Sequence, residues 1–185
     1  MPTNLFGRRR RADAGTTAPT PSTPPAAAPA AAALAPDQLG APTTGELIPL
    51  TEVADPAFAA GLLGPGVGVQ PADGTVVAPV AGTVVSAMPH AYGLRSDGGV
   101  EVLVHVGIDT VTLNGQHFEP QVEAGARVAA GDPLVRVDLD AVAAAGLPTT
   151  VLLVVTNAAA LGGVDAHRPG PVVAGAPVVT VVAAA

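Results

Sequence analysis

The chain has 185 residues, a formal net charge of −7, 49% hydrophobic side chains and only 2% aromatic ones. It contains no cysteine, and all eight of its basic residues are arginines. That excludes disulfides, thiol nucleophiles, Cys-based zinc sites, lysine Schiff bases, biotinyl or lipoyl attachment and a Walker A lysine.

Residues 1–38 read as a disordered tail. Arg8 to Arg11 and the neighbouring Leu5 and Phe6 form its tip, and Thr16 to Pro36 holds six prolines among Ala, Thr and Ser. Such a composition builds no packed core and favours extended chain. No apolar h-region follows the arginines, and no apolar run reaches the roughly 18 residues of a membrane span. The expected location is the cytoplasm, with membrane association only through partners. Residues 39–185 form the expected domain, in which four arginines face thirteen acidic residues for a net charge of −9. A surface of that sign disfavours nucleic acid and favours a basic protein partner.

From residue 39 onward, glycine and proline punctuate short β-branched runs. These are Thr75 to Val77, Thr83 to Val85, Val100 to Val106, Leu134 to Val137, Val151 to Val155 and Val178 to Val182. The pattern predicts an all-β, antiparallel sandwich or barrel with short helical turns. The phrase Gly125-x-x-Val128-x-x-Gly131-x-Pro133-Leu134 reads as a hairpin turn feeding an edge strand. One helix is predicted, Leu139 to Ala145, with Asp138 as N-cap and Gly146 as C-cap. Two weak repeats stand out. Ala41-Pro42-Thr43-Thr44-Gly45 resembles Ala78-Pro79-Val80-Ala81-Gly82, and Ala130-Gly131-Asp132-Pro133 resembles Ala174-Gly175-Ala176-Pro177.

The chemistry concentrates between His90 and Val111. In a strand, side chains alternate faces, so Val100, Val102, Val104 and Val106 form one apolar face and Glu101, Leu103 and His105 the other. Asp97-Gly98-Gly99 supplies a tight turn that folds the segment around His90 back alongside. Two imidazoles can then meet on one sheet face. A lone histidine in a strand is more often a satisfied core or edge residue than a catalytic one, and His117 and His167 in their loops read that way. A pair suits a different task. Imidazole has a pKa near 6.5 and offers a neutral nucleophilic nitrogen at physiological pH.

The run His90-Ala91-Tyr92, the turn Ser96-Asp97-Gly98-Gly99 and the run Val100-Glu101-Val102-Leu103-Val104-His105-Val106-Gly107-Ile108-Asp109-Thr110-Val111 resemble one known segment. It is the active-site segment of the glucose-type IIA component of the bacterial phosphoenolpyruvate-dependent sugar phosphotransferase system. The resemblance extends over residues 41–182, through Ala41-Pro42-x-x-Gly45-Glu46, Asp55-Pro56-x-Phe58-Ala59, Ala78-Pro79-x-x-Gly82 and Thr156-Asn157. It implies a barrel-sandwich hybrid fold. It also implies a carrier that takes phosphate on His105 from the small phosphohistidine protein HPr. The carrier passes it to the cysteine of a separate IIB domain, which works with a membrane IIC partner. His90 matches the partner histidine that stabilises the phosphoryl group. Asp55 and Asp109 match acids at the rim that meet basic partner residues, and Phe58, Tyr92 and Val111 match the apolar ring. For Asp55 and Asp109, turn capping is the competing reading; for Phe58 and Val111, it is core packing. The resemblance implies no required cofactor and leaves room for zinc at a partner interface, where His90 and His105 would be ligands.

Three departures from the family pattern are visible. Met88 stands where a threonine is usual, with Pro89 directly before His90, and the loop from Gly82 to His90 is slightly shorter. Gly64-Pro65-Gly66 replaces a Gly-Asp-Gly. The first two bear on how His90 is aimed. The alternative function is a mainly regulatory binding protein that acts on transporters or metabolic enzymes, kinases among them, according to its phosphorylation state. A lysostaphin-type zinc endopeptidase needs a His-x-His pair, and Gly107 follows His105-Val106 instead.

Overall fold

The computed structural model describes residues 34–182, so the tail to residue 33 lies outside the described residues. Gln38, placed at the end of the tail by sequence, is instead the first residue of a strand, and Val181 donates a backbone hydrogen bond to the Asp37 carbonyl.

The strands in chain order are β1 Gln38–Gly40, β2 Gly45–Pro49, β3 Gly66–Pro71, β4 Thr75–Val77, β5 Gly82–Met88, β6 Ala91–Ser96 and β7 Glu101–Val106. There follow β8 Phe118–Pro120, β9 Arg127–Val128, β10 Pro133–Val137, β11 Val151–Val155, β12 Gly163–Ala166, β13 Gly170–Val172 and β14 Pro177–Val182. Two short α-helices, α1 Pro56–Ala59 and α2 Leu139–Ala144, join them. An eight-stranded sheet has the order β13-β2-β3-β11-β7-β6-β5-β9, and two three-stranded sheets have the orders β1-β14-β12 and β4-β10-β8. Every pairing is antiparallel. The expected all-β fold class is the observed one.

The alternation in β7 sets the layers. Val102, Val104 and Val106 are buried, and Glu101, Leu103 and His105 are half-buried. The valine face joins the main core, to which all three sheets contribute, with Leu39, Val84, Tyr92, Val104, Leu134 and Val179 among its members. The run Val151-Leu152-Leu153-Val154-Val155 is buried throughout because β11 is covered on both faces. Val151, Leu153 and Val155 enter the main core, whereas Leu152 and Val154 enter a smaller cluster with Leu50, Val53, Phe58 and Ile108 on the other face.

The predicted strands form at their expected places, with two differences of detail. β10 is the central strand of its sheet, not an edge, because β8 and β4 flank it. Helix α2 starts on the predicted N-cap, where the Asp138 carboxylate accepts from the Ala141 N–H. It ends at a C-cap on Ala145, with Gly146 one residue beyond at φ +80°.

The two sequence repeats bond to one another. The Ala41 N–H donates to the Ala176 carbonyl and the Gly175 N–H to Ala41; the Ala78 N–H donates to Asp132 and the Gly131 N–H to Ala78. The two Ala-Pro segments also join directly, Gly40 N–H to the Pro79 carbonyl and Val77 N–H to the Pro42 carbonyl. Both alanines are fully buried.

Asn157 completes the frame around β7. Its Oδ1 accepts from the Glu101 N–H and its Nδ2 donates to the Gly99 carbonyl, each at 2.9 Å. The turn between β6 and β7 is thereby tied to the end of β11.

Candidate active site

β5 and β6 are joined through Pro89 and His90, with Met88 opposite Ala91. On the other side of β6, Ala91 stands opposite His105 of β7. The His90 carbonyl accepts from the Val106 N–H at 2.8 Å. This register carries the two imidazoles to the same outer face, with ring centroids 5.3 Å apart and ring planes at 71°. The Phe58 ring lies 5.4 Å from that of His105.

Phe58 reaches the site through α1, a helix too short for its own apolar period. Asp55 caps it: Oδ1 accepts from the Ala57 and Phe58 N–H groups at 2.8 and 3.0 Å. Proline at the first helical position needs no donor there. Asp55 is therefore a cap and a wall of the site at once. Asp109 caps nothing through its side chain; it sits in the left-handed region at φ +58°, ahead of a 3₁₀ turn spanning Thr110–Leu113.

A cavity of about 370 Å³ is lined by Asp55, Phe58, Met88, His90, His105, Ile108, Asp109 and Val111. Tyr92 is not among them. It lies opposite Val104, on the core face of the sheet, and is fully buried there. Burial pushes its phenol up to about 12. Its expected place in the apolar ring is corrected for that reason of parity. Val111 is not core: 58% of it is exposed, so it stands at the cavity rim. Met88 and Ile108 line the cavity without having been singled out as site residues. Met88 is half-exposed and puts a thioether where the family pattern places a hydroxyl.

The atom that decides the chemistry is Nδ1 of His105, 2.8 Å from the Gly107 carbonyl oxygen. A carbonyl only accepts, so Nδ1 carries the proton. In the neutral ring the lone pair is then on Nε2. Gly107 can present its carbonyl this way because it sits at φ +74°, in the left-handed region.

Burial holds the pKa of His105 below its ordinary value; the bond to Gly107 opposes this, His90 adds to it, and Asp55 and Asp109 oppose it. Burial also lowers His90. Both rings are therefore neutral at pH 7. The unfolded chain protonates these rings below 6.5, while the folded chain still resists. Stability from the pair is complete above that pH and is lost as pH falls toward the lowered native values. NMR titration of the ring protons should place both midpoints below 6.5; a midpoint above it for His105 would mean that the two carboxylates outweigh burial.

The cavity wall carries two carboxylates and no arginine. Among the described residues no group of three or more His, Cys, Asp or Glu is arranged to hold a metal. The two imidazoles are at most two of the four ligands that a tetrahedral zinc takes. The other histidines serve the frame: the His117 carbonyl accepts from Asp138, and His167 Nε2 is 3.1 Å from the Thr180 hydroxyl. A larger groove of about 980 Å³ runs past His167 and Arg168, but it holds no second imidazole. Among the described residues, no helix is long and apolar enough to cross a membrane.

Comparisons with known proteins converge on one family. Residues 37–161 match the family described as "phosphoenolpyruvate-dependent sugar phosphotransferase system, EIIA 1". The glucose-specific EIIA component of Staphylococcus aureus is 39% identical over 137 residues, covering 73% of this chain and 82% of that protein. The mannose-specific EIIBCA component of Corynebacterium glutamicum is 50% identical over 126 residues, 67% of this chain. This chain spans only 18% of that relative's length, and likewise 18% of the glucose-specific EIICBA component of Streptococcus pneumoniae. Among solved structures, glucose permease IIA from Mycoplasma capricolum superposes with a TM-score of 0.68 at 36% identity, over 77% of this chain and 93% of that one.

Proposed function

Because this chain belongs to the EIIA 1 family of the phosphoenolpyruvate-dependent sugar phosphotransferase system, we propose that it is a phosphoryl carrier whose working atom is Nε2 of His105. The observation that carries this reading is the Nδ1–H bond to Gly107, which leaves the Nε2 lone pair free beside His90.

The donor is phospho-HPr. The Nε2 lone pair attacks phosphorus, the P–N bond of the donor breaks, and the donor imidazole keeps that electron pair. In the second step a cysteine thiolate of a IIB domain attacks phosphorus in line, the P–Nε2 bond breaks, and His105 recovers its lone pair. Such transfers need alignment and charge stabilisation more than covalent help. His90 supplies a ring N–H to the phosphoryl oxygens. Asp55 and Asp109 supply none; they repel the phosphoryl group and attract the arginines or lysines of a partner. Phe58, Ile108, Met88 and Val111 give the apolar surround that limits water at the P–N bond.

The relatives support the choice of partners. EIIA sequence is fused to B and C components in proteins named for glucose, mannose and β-glucosides. Related IIA sequences thus stand beside B and C components named for different sugars, and on this reading selection of the sugar falls to IIB and IIC. A cytoplasmic location follows from the need to meet both HPr and IIB. The relay requires no cofactor. Zinc bridging a partner complex would take His90 and His105 from this chain.

The test is incubation with phosphoenolpyruvate, enzyme I and HPr. Acid-labile, base-stable phosphate on His105, discharged by a IIB domain from a panel, is the expected result; no uptake would overturn the reading. Charge enters through the encounter. Screening shortens the reach of the domain's field to about 10 Å at 0.1 M salt. Asp109→Asn should slow uptake from HPr several-fold at low salt and flatten the dependence on ionic strength. Stopped-flow rates that keep the parent salt slope would assign Asp109 no part in docking.

A further inference from the structure

We propose that Thr110 is a positioning residue of this site: its buried hydroxyl anchors the Val106 carbonyl and so steadies the next peptide, whose Gly107 carbonyl takes Nδ1–H of His105 and fixes the tautomer of the ring. The inference deepens the phosphocarrier reading and rests on it for its consequence in rate.

Thr110 is 1% exposed, three residues beyond the glycine whose carbonyl orients the nucleophile. Its Oγ1 donates to the Val106 carbonyl at 2.6 Å, bridging back across Gly107. Two peptide planes lie between these residues. In the first, the Val106 carbonyl takes the Thr110 hydroxyl and the Gly107 N–H donates to the Thr150 carbonyl at 2.9 Å. In the second, the Ile108 N–H donates to the Pro148 carbonyl at 3.0 Å while the Gly107 oxygen, on the opposite side of a trans peptide, faces the imidazole. Each plane is thus held at two atoms. Removing the hydroxyl leaves the first plane held only by the Gly107 N–H bond to Thr150, and glycine, the freest hinge between two planes, passes that looseness on to the plane that carries the Gly107 oxygen.

The methyl group acts from the other side. A Cβ built on Gly107 would meet Thr110 Cγ2 at 2.3 Å, so the methyl occupies the space beside the glycine. The two branches of one side chain therefore hold the loop by a bond and by contact. Serine keeps the bond, and valine keeps the contact. Loss of the Gly107 acceptor would let the proton sit on Nε2 for part of the time, which removes the attacking lone pair in that fraction.

The experiment compares Thr110→Ser with Thr110→Val in the full chain. The readouts are ¹⁵N shifts of the His105 ring, which separate protonated from unprotonated nitrogen, and the rate of phosphate uptake from phospho-HPr. Thr110→Ser should keep Nδ1 protonated and Nε2 bare. Thr110→Val should show mixed tautomers and an uptake rate about tenfold lower, the order expected for a small misplacement of a reacting group. A wild-type tautomer in Thr110→Val, or equal losses in both variants, would overturn the proposal, since packing alone would then explain the residue. Should Thr110→Val fail to fold, Thr110→Ala against Thr110→Ser makes the same comparison. The ring shifts are read without phosphate, so a wild-type chain that takes up no phosphate would sink the carrier reading and leave this test intact.

Discussion

Replacing His105 with alanine is expected to abolish phosphate uptake from phospho-HPr altogether, with no loss of fold. On the proposed reading the ring is the nucleophile, and the cavity offers no ready substitute: its other lining residues are two carboxylates, apolar side chains and His90. His90 sits in the turn between β5 and β6, and among the described residues no backbone carbonyl fixes its Nδ1, unlike His105 with Gly107. His90→Gln should therefore accept phosphate and pass it on poorly. An amide N–H replaces one donor to the phosphoryl oxygens but does not titrate. Radiolabel on the Ala variant together with none on the Gln variant would exchange the two roles. A mass spectrum of the acid-labile species, run beside a thermal melt of both variants, separates lost chemistry from lost structure.

Gly107→Ala should damage both stability and uptake. An L-residue at φ +74° pays about 1–2 kcal/mol for the left-handed conformation alone. The added Cβ also falls 2.9 Å from the Pro148 carbonyl oxygen, which is backbone held by the Ile108 N–H and cannot swing aside. A total cost of roughly 3 kcal/mol, large for one methyl group, is expected, with a fall in melting temperature of roughly 10 °C for a domain of this size. Uptake should fall further than the unfolded fraction explains, because the Gly107 carbonyl no longer meets Nδ1. A variant that melts like the parent and transfers at the parent rate would show that the loop between β7 and the 3₁₀ turn adapts at no cost.

The alternation of Val100 to Val106 was enough to place β7, its core face and the outward His105, because a two-residue period leaves one solution when every second residue is valine. The turn at Asp97 to Gly99 was legible for a similar local reason. Tyr92 shows where local reading fails. Whether it faces the core or the site depends on which residue of β7 it opposes, and that register is set by the length of the turn. Phe58 was reached through the family motif, not through periodicity: α1 is four residues long, and its sequence signal is only Asp55 followed by proline. The central position of β10 was not legible, since its partners β4 and β8 come from chain segments that the local pattern does not link. The exposure of Val111 likewise depends on where a short turn places one side chain, and for Asp55 the turn makes both sequence readings true at once, cap and site wall.

The joined Ala-Pro segments divide the pocket between two contributors. Asp55 and Phe58 lie on the stretch between Pro42 and Ala78, while both histidines and Asp109 come after Pro79. The buried backbone donors of each segment find their acceptors in the other or in its companion repeat. Neither stretch alone can satisfy its own main chain in the interior, where an unpaired donor is costly. A polypeptide cut in the turn between β3 and β4 would therefore yield two incomplete pieces with complementary edges. On the carrier reading, phosphate acceptance would return only on their reassembly, and the regained chemistry would itself report that the pieces had met.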